Sequence, residues 1–548
     1  MMTGNSTDIP RGNRAGMIRY AKSDILSGFL VFLIALPLCL AIAVTSGFPP
    51  IAGLFTAIVG GLISPWISNS ELTIKGPAAG MIVIVLGAVT DFSTPAFEGQ
   101  SAYRLVLGVG VVAGLLQIVF ALTRSGILGE FFPTSVVHGM LAAIGVIIMS
   151  NQIHKAMGVL DVKGKPFELI EAIPSSLLRL NPAVTSIGVI SLAILFLMPF
   201  IKNPYLRKIP APMIVIVVGV ILGMVFDLLH SHSYTFLGKK FDITDKFLVE
   251  QPKSILSSIT FPDFRGLLTG TGWLWVVLFS LIGTLESLLS AKAVDMLDPW
   301  KRKTDLNKDL LAVGVGNTIA ASIGGFPMIS EIVRSKANVD NGGHTRFANM
   351  FHGIFLLAFV AIFPAIIHRI PMASLSAMLI YTGSRLASPK EFRNVFRIGK
   401  EQFIIFVSTV VGVLATDLLV GVIIGIVVKF SIHALNGVPF SSFFKPFLDV
   451  ETAPDGSVLI RAHKSAVFSN WIPFKKQIEH LGLVQKSNIT IDFSDTRLVD
   501  HSVMEKLHEL EDEFHREGLS LTLTGLDDHR KLSSHMFAAR RKPQSTNP

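Results

Sequence analysis

Apolar residues in this chain gather into uninterrupted blocks of roughly 15 to 22, each long enough to cross a hydrocarbon layer about 30 Å thick as one helix. Half of the 548 residues are apolar and only 16% are charged, against about a quarter in a soluble protein, and the mean hydropathy is +0.57. The chain therefore reads as a polytopic α-helical membrane protein.

The remaining composition narrows the chemistry. One cysteine, Cys39, excludes an intramolecular disulfide and any multi-cysteine metal site, and reads as helix packing. The net charge of +9 comes from lysines and arginines at the ends of apolar blocks, which sets topology rather than binding nucleic acid. His230 and His232 close one span, and His501, His508 and His515 recur every seven residues on one predicted helix. Metal ligation needs closer spacing or further ligands, so these histidines read as solvated surface. No Walker loop or nucleophile–base motif is evident, which disfavours a membrane enzyme, and no cofactor is implied.

Residues 1–22 are a polar, basic tail carrying Arg11, Arg14, Arg19 and Lys22, and the block at 25–46 is too long for a signal-peptide core. Further spans are predicted at 50–67, 77–93, 103–122, 131–150, 183–201, 211–228, 272–292, 308–323, 328–338, 347–368, 372–386, 401–416 and 418–434, fourteen in all. An even count puts both termini on one side, and the basic tail makes that side the cytoplasm of a cell-membrane (inner or plasma membrane) protein. Three predicted inner loops agree: Lys202, Arg207 and Lys208; Lys292, Lys301, Arg302, Lys303 and Lys308; Arg385, Lys390, Arg393, Arg397 and Lys400. The longer outer segments 151–182 and 229–271 also hold lysines, against the rule. After Phe430 the composition turns charged, and 450–535 reads as a soluble α/β domain, with strands at 457–461, 489–493 and 520–524. Its amphipathic helix at 501–518 has Val503, Leu507, Leu510 and Phe514 as the buried stripe.

Two spans break the pattern at matching places. The third opens on Lys75-Gly76-Pro77-Ala78-Ala79-Gly80; the tenth opens on Gly324-Gly325-Phe326-Pro327 and soon carries Ser330, Glu331, Arg334, Ser335 and Lys336. Third of the first seven and third of the second seven is the relation of two repeats, and an odd number of spans per repeat inverts one against the other. Paired broken segments of this kind point to a transporter's binding site. A half-helix start offers unpaired N–H groups and roughly half a positive charge, which can replace the water lost by an inorganic anion deep in the bilayer. Pro77 is expected at the first helical position, with Ala78, Ala79 and Gly80 leaving the amides sterically open; Ser330 is expected as the cap over the amides of Ile332, Val333 and Arg334. Arg334 can neutralise the anion or pair with Glu331. Glu286, inside Leu281-Ile282-Gly283-Thr284-Leu285-Glu286-Ser287-Leu288-Leu289-Ser290, is placed near mid-membrane and can carry a proton or serve as a structural partner of Arg334. Ser290 shares its face and can help hold a cation.

With these residues in hand, the chain over 20–535 resembles the SulP (sulfate permease) family of anion transporters. The matching pieces are Ala35-Leu36-Pro37-Leu38-Cys39-Leu40-Ala41, Gly76-Pro77-Ala78, Glu286-Ser287-Leu288-Leu289, Gly325-Phe326-Pro327 with Arg334-Ser335, and the stretch from Asp417 to Gly421. The C-terminal portion resembles that family's STAS domain. The resemblance implies an all-α membrane domain over 23–436 built as a seven-plus-seven inverted repeat. Its core unit (spans 1–4 and 8–11) moves elevator-like against a gate unit (5–7 and 12–14), and a linker at 437–449, the STAS domain at 450–535 and a disordered tail at 536–548 follow. It implies an anion site between Gly76, Pro77, Ala78 and Ala79 and Ile332, Val333 and Arg334, lined by Leu38 and Ile42, and a homodimer in the lipid bilayer.

The departures from the family bear on the site. Ala78 and Leu38 stand where polar or aromatic side chains often occur, so backbone amides and Arg334 carry more of the binding. Glu286 stands where sodium-using bicarbonate transporters can have aspartate, so the expected coupling ion is a proton, with sodium as the alternative. Ser502 falls near the phosphorylated serine of related antagonists, but Asp500-His501-Ser502-Val503 lacks their Ser-Gly. The expected function is secondary active transport of a small inorganic anion, sulfate or bicarbonate. A dicarboxylate or nucleobase carrier of the same fold and a membrane-anchored STAS signalling protein are the alternatives.

Overall fold

The structure, a computed structural model, describes residues 9–543 apart from 98, 127–132, 163, 202, 204–208, 251–254, 417 and 455. Lys202, Arg207, Lys208 and Asp417 thus lie outside the described residues. The chain divides into two compact units, residues 1–126 with 144–385, and 127–143 with 386–548.

The first unit begins with α1 (Arg14–Arg19), α2 (Ala21–Thr45), α3 (Pro50–Ile67), a short strand β1 (Ile74–Pro77), α4 (Ile82–Phe92) and α5 (Ala102–Leu122). It takes most of α6 (Thr134–Ala156), then two short helices, α7 (Pro166–Glu171) and α8 (Ile173–Leu178), followed by α9 (Pro182–Leu197) and α10 (Ala211–Val225). After β2 (His232–Phe236) and β3 (Lys239–Ile243) come α11 (Gly270–Leu297), α12 (Leu306–Ser322), β4 (Met328–Glu331), α13 (Ile332–Asp340), α14 (Phe347–Ile362), α15 (Pro364–His368) and α16 (Met372–Leu386). Seven helical segments among the described residues are long and apolar enough to cross a membrane, among them α2, α5, α6 and α11. Small residues set their closest approaches: a Cβ on Gly114 of α5 would strike Thr318 and the Gly314 carbonyl of α12, and a Cβ on Gly314 would strike Ile118.

One expectation is corrected here. The apolar stretch at 347–368 is two helices, because Pro364 cannot donate to the ladder and opens α15 after α14 has ended. The outer segment 229–271, read above only for its lysines, carries structure of its own. It holds the β2–β3 hairpin, whose turn residues Leu237 and Gly238 both have positive φ (49° and 76°), the geometry of a primed two-residue turn.

The second unit carries α17 (Pro389–Ile398), α18 (Lys400–Ala415) and α19 (Leu418–Leu435), then a seven-stranded sheet: β5 (Phe447–Thr452), β6 (Val458–Ala466), β7 (Ile489–Asp492), β8 (Thr496–Val499), β9 (Leu521–Thr524), β10 (Arg530–Lys531) and β11 (Arg540–Arg541). Its centre is parallel, β8-β6-β7-β9, with β5 antiparallel on β6. Helices α20 (Trp471–Glu479) and α21 (His501–Arg516) supply the rest of its core, where Val503, Leu507, Leu510 and Phe514 are buried with Trp471, Phe474 and Phe493. One histidine departs from the expected solvated face. His501 is buried, its Nδ1 2.7 Å from the Phe537 carbonyl, because it opens α21 under the C-terminal segment, whereas His515 is exposed.

Candidate functional site

Extended backbone inside a bilayer survives only where protein, not lipid, satisfies its polar groups. Here the two broken segments satisfy each other. Strands β1 and β4 pair antiparallel, with Ile74 opposite Glu331, Lys75 opposite Ser330, Gly76 opposite Ile329 and Pro77 opposite Met328. Residues 76–80 and 330–335, distant in sequence, are thereby brought side by side, and α4 and α13 both start from this two-stranded junction.

The register corrects two cap assignments. Pro77 ends β1 instead of opening the helix; a 3₁₀ turn, Ala79–Met81, intervenes and α4 begins at Ile82. The pairing of Gly76 and Pro77 with Ile329 and Met328 holds the chain extended one turn further than propensity alone suggests. Ser330 is not the cap of α13 either: Glu331 occupies that position without a side-chain cap bond, and Ser330 is drawn into a buried polar network.

That network is the feature sequence reasoning missed. Lys75, 1% exposed, reaches Asp309 Oδ1 at 2.5 Å and donates to Ser330 Oγ at 2.5 Å. Ser330 Oγ donates to Asp309 Oδ2 at 2.9 Å, Ser68 Oγ donates to Asp309 Oδ1 at 2.6 Å, and the Ser330 N–H donates to Ser287 Oγ at 3.0 Å. Around it, Ser335 Oγ accepts from the Ile74 N–H at 2.8 Å, and Asn317 binds Met328 at both its N–H and its carbonyl. The signal was present as two opposite charges, Lys75 and Asp309, at the edges of apolar segments in the two halves of the chain.

The other expected residues lie close by. Arg334, 1% exposed, donates from Nη2 to the Pro77 carbonyl at 2.7 Å, while Nε and Nη1 meet no acceptor. A Cβ on Gly76 would collide with Arg334 Nη1, so this glycine makes room for the guanidinium. Glu286 on α11 lies against Gly80, where a Cβ would collide with its carboxylate, and its Oε1 has no hydrogen-bond partner. Ser290, one turn on, is buried too. Leu38 is half-buried and Ile42 buried on α2, which packs against β1, α4 and α13. Ala78 is buried, Ala79 half-buried, and Ile332 and Val333 are 41% and 44% exposed at the mouth of α13. A separate cavity of about 10 Å³ adjoins the junction, lined by Met81, Gln117, Gly283, Asn317 and Pro327, and excludes these residues. No group of three potential metal ligands occurs among the described residues.

A membrane bundle in which two broken segments meet beside a buried, half-satisfied arginine and an unpartnered carboxyl has the makings of an anion carrier. The chain belongs to the sulfate permease family, a family of membrane anion transporters and not of enzymes, whose sequence profile matches residues 21–409. A putative sulfate transporter of Bacillus subtilis (strain 168), YvdB, is 25% identical over 415 residues, covering 75% of this chain and 73% of its own. The bicarbonate transporter BicA of a Picosynechococcus species is 22% identical over 410 residues, covering 75% and 69%. Among solved structures, the transmembrane domain of a cyanobacterium bicarbonate transporter BicA superposes with a TM-score of 0.61 at 21% identity, covering 74% of this chain and 98% of that one. The murine Solute Carrier 26 family member A9 anion transporter superposes with a TM-score of 0.65 at 15% identity, covering 95% and 90%. At these identities the structural likeness speaks for the fold.

Proposed function

We propose that this protein is a secondary active transporter of a small inorganic oxyanion, sulfate or bicarbonate, coupled to protons through Glu286. The observation that carries the reading is the β1–β4 junction, with Arg334 Nε and Nη1 unspent beside Gly76 and the Glu286 carboxyl unspent beside Gly80. A buried guanidinium with two free donor groups is costly alone, and an oxyanion is the ligand that offsets the cost with charge-assisted hydrogen bonds. The site comprises Gly76, Pro77, Ala78, Ala79, Ile332, Val333 and Arg334, with Leu38 and Ile42 as its apolar wall. Glu286, with Ser290, takes a proton on one side of the membrane and releases it on the other.

In the same reading the membrane domain has fourteen spans in two inverted repeats of seven and works by an elevator-like movement of spans 1–4 and 8–11 against the rest. Both termini are cytoplasmic, the C-terminal sheet region is a STAS domain, and the protein is a homodimer. Uptake into proteoliposomes of sulfate, bicarbonate and chloride, each under a proton or a sodium gradient, tests it. Sulfate or bicarbonate entry driven by the proton gradient is expected. Drive by sodium alone would overturn proton coupling, and entry of fumarate or uracil without either oxyanion would overturn the substrate. Flux retained after deletion of 440–548 would argue against a purely signalling role.

A further inference from the structure

Outside the transport site, the second unit contains a cleft of about 560 Å³ between the end of α17, the start of α18 and residues 532–539 of the C-terminal segment. Helix α17, with the sequence PKEFRNVFRI, is amphipathic: Val395 is buried, while Lys390, Arg393 and Arg397 are exposed. Ser388 caps its start, accepting from the Glu391 N–H, and α18 follows after Gly399. Arg397 and Lys400 line the cleft, and neither they nor Arg393 makes an ion pair among the described residues. The one carboxylate in the lining, Glu401, is turned to Asn436, whose Nδ2 donates to it at 2.9 Å. Opposite stand Ser533 and Ser534; Ser533 Oγ donates to the Ile398 carbonyl at 2.5 Å, which ties the wall to α17.

The cleft also sits at a polarity boundary. Lys400 opens a helix whose next turn is Phe403, Ile404, Ile405 and Phe406, with Ile404 55% exposed, and Phe396 at the cleft edge is 52% exposed. Basic side chains on one side of a short helix, exposed aromatic and aliphatic ones beside them, and an apolar span beginning at once are the features of a segment lying in the headgroup layer. We propose that this cleft binds the phosphate headgroup of an anionic phospholipid, with Arg397 and Lys400 as the charge partners, Ser533 and Ser534 as polar wall, and Phe396 and Ile404 against the acyl chains. A lipid fits better than a free anion because the polar cleft continues onto exposed apolar side chains, which a free anion would leave bare.

The test uses the full chain in mild detergent, delipidated and then offered phosphatidylglycerol or phosphatidylcholine, with bound lipid read by native mass spectrometry. Wild type is expected to retain phosphatidylglycerol over phosphatidylcholine. R397Q with K400Q is expected to lose that preference by roughly tenfold or more, while R397K with K400R retains it and K239Q, an exposed cation on β3, leaves it unchanged. Equal retention of the two lipids, or an undiminished preference in the glutamine variant with its thermal midpoint intact, overturns the proposal. Should the glutamine variant not fold, titrating wild type with phosphatidylglycerol decides alone, by the presence or absence of a saturable preference. Displacement of the bound lipid by millimolar inorganic phosphate would assign the cleft to a free anion and overturn the lipid.

Discussion

Two glycines carry more of the proposed anion site than their size suggests. Gly76 and Gly80 are the floor on which the Arg334 guanidinium and the Glu286 carboxyl lie, and a methyl group at either would displace the charged group above it. Arg334→Ala is expected to raise the apparent KM for the transported oxyanion by roughly tenfold or more, the worth of a charge-assisted hydrogen bond in a dry site. Gly76→Ala should do the same in part, by pushing Nη1 away while keeping the charge. Anion-dependent initial uptake rates measure both, and an unaltered KM in the arginine variant would show that the guanidinium serves structure alone. Glu286→Gln holds a neutral amide at every pH, so it should abolish uptake driven by a proton gradient while leaving anion binding measurable by protection against thermal unfolding. Uptake that still follows the gradient would remove Glu286 from the coupling role. Arg334 and Glu286 could be singled out beforehand because a carboxyl and a guanidinium inside apolar segments are costly and call for a partner, whether a transported ion or each other. Their supports at 76 and 80 were not, since a glycine's reason lies in its neighbour across the fold.

At the scale of elements, the junction of β1 and β4 is held by a buried ion pair with hydroxyls around it. Removing one partner strands the other charge, a loss of about 3 to 5 kcal/mol, whereas removing both charges costs less. Asp309→Leu should therefore lower the unfolding midpoint of the purified protein sharply, and Lys75→Met with Asp309→Leu should recover part of the loss. A double variant as unstable as the single one would show that the strand pairing, not the charge pair, governs. That third and tenth segments are broken is readable from Gly-Pro and Gly-Gly-Phe-Pro in otherwise apolar runs. That they continue as strands is not. A four-residue strand such as Ile74–Pro77 has no periodicity to read, and its partner lies more than 250 positions away, so only the register reveals that Ser330 faces Lys75 and leaves the cap position to Glu331. The reverse holds in the C-terminal sheet. There the buried stripe of α21, the alternation at the start of β6 and that of 489–492 follow from local pattern, because each repeats a period. The extension of β6 to Ala466, beyond the strand expected at 457–461, does not, since a register shift at Lys464/Ser465 breaks its alternation.

At the scale of the whole molecule, the last long helix and the sheet region are joined within the second unit by a buried electrostatic node. Lys429 and His433 project from α19 onto Asp500, which caps α21: Lys429 Nζ is 3.2 Å and His433 Nε2 3.5 Å from Asp500 Oδ2. Lys429 also donates to Ser502 Oγ at 2.8 Å, so this serine, fully buried, is closed to a modifying enzyme in this conformation. Burial alone pushes the Asp500 carboxyl up, but Lys429, His433 and the N–H groups of Val503 and Phe468 outweigh it and hold the group below the ordinary carboxylate range. A carboxylate depressed in the folded state binds fewer protons there than when unfolded. Its contribution is whole above the ordinary carboxylate range and disappears as pH falls through the depressed value. His501 acts in the same direction, since burial pushes its imidazole below the usual histidine range and acid must charge it on unfolding. Acidification is therefore expected to loosen the sheet region from α19 before it unfolds the apolar helices. Amide exchange of the full-length protein should show α21 and the 468–471 turn losing protection first as pH falls. Asp500→Asn should show that loosening already at neutral pH, with a flatter response to acid. If exchange at α21 instead tracks the membrane helices at every pH, the node is packing without a titrating role, and the link between α19 and the sheet region rests on Phe430, which meets Phe443 edge-on and Phe468 at a tilt, each at 5.1 Å between ring centroids.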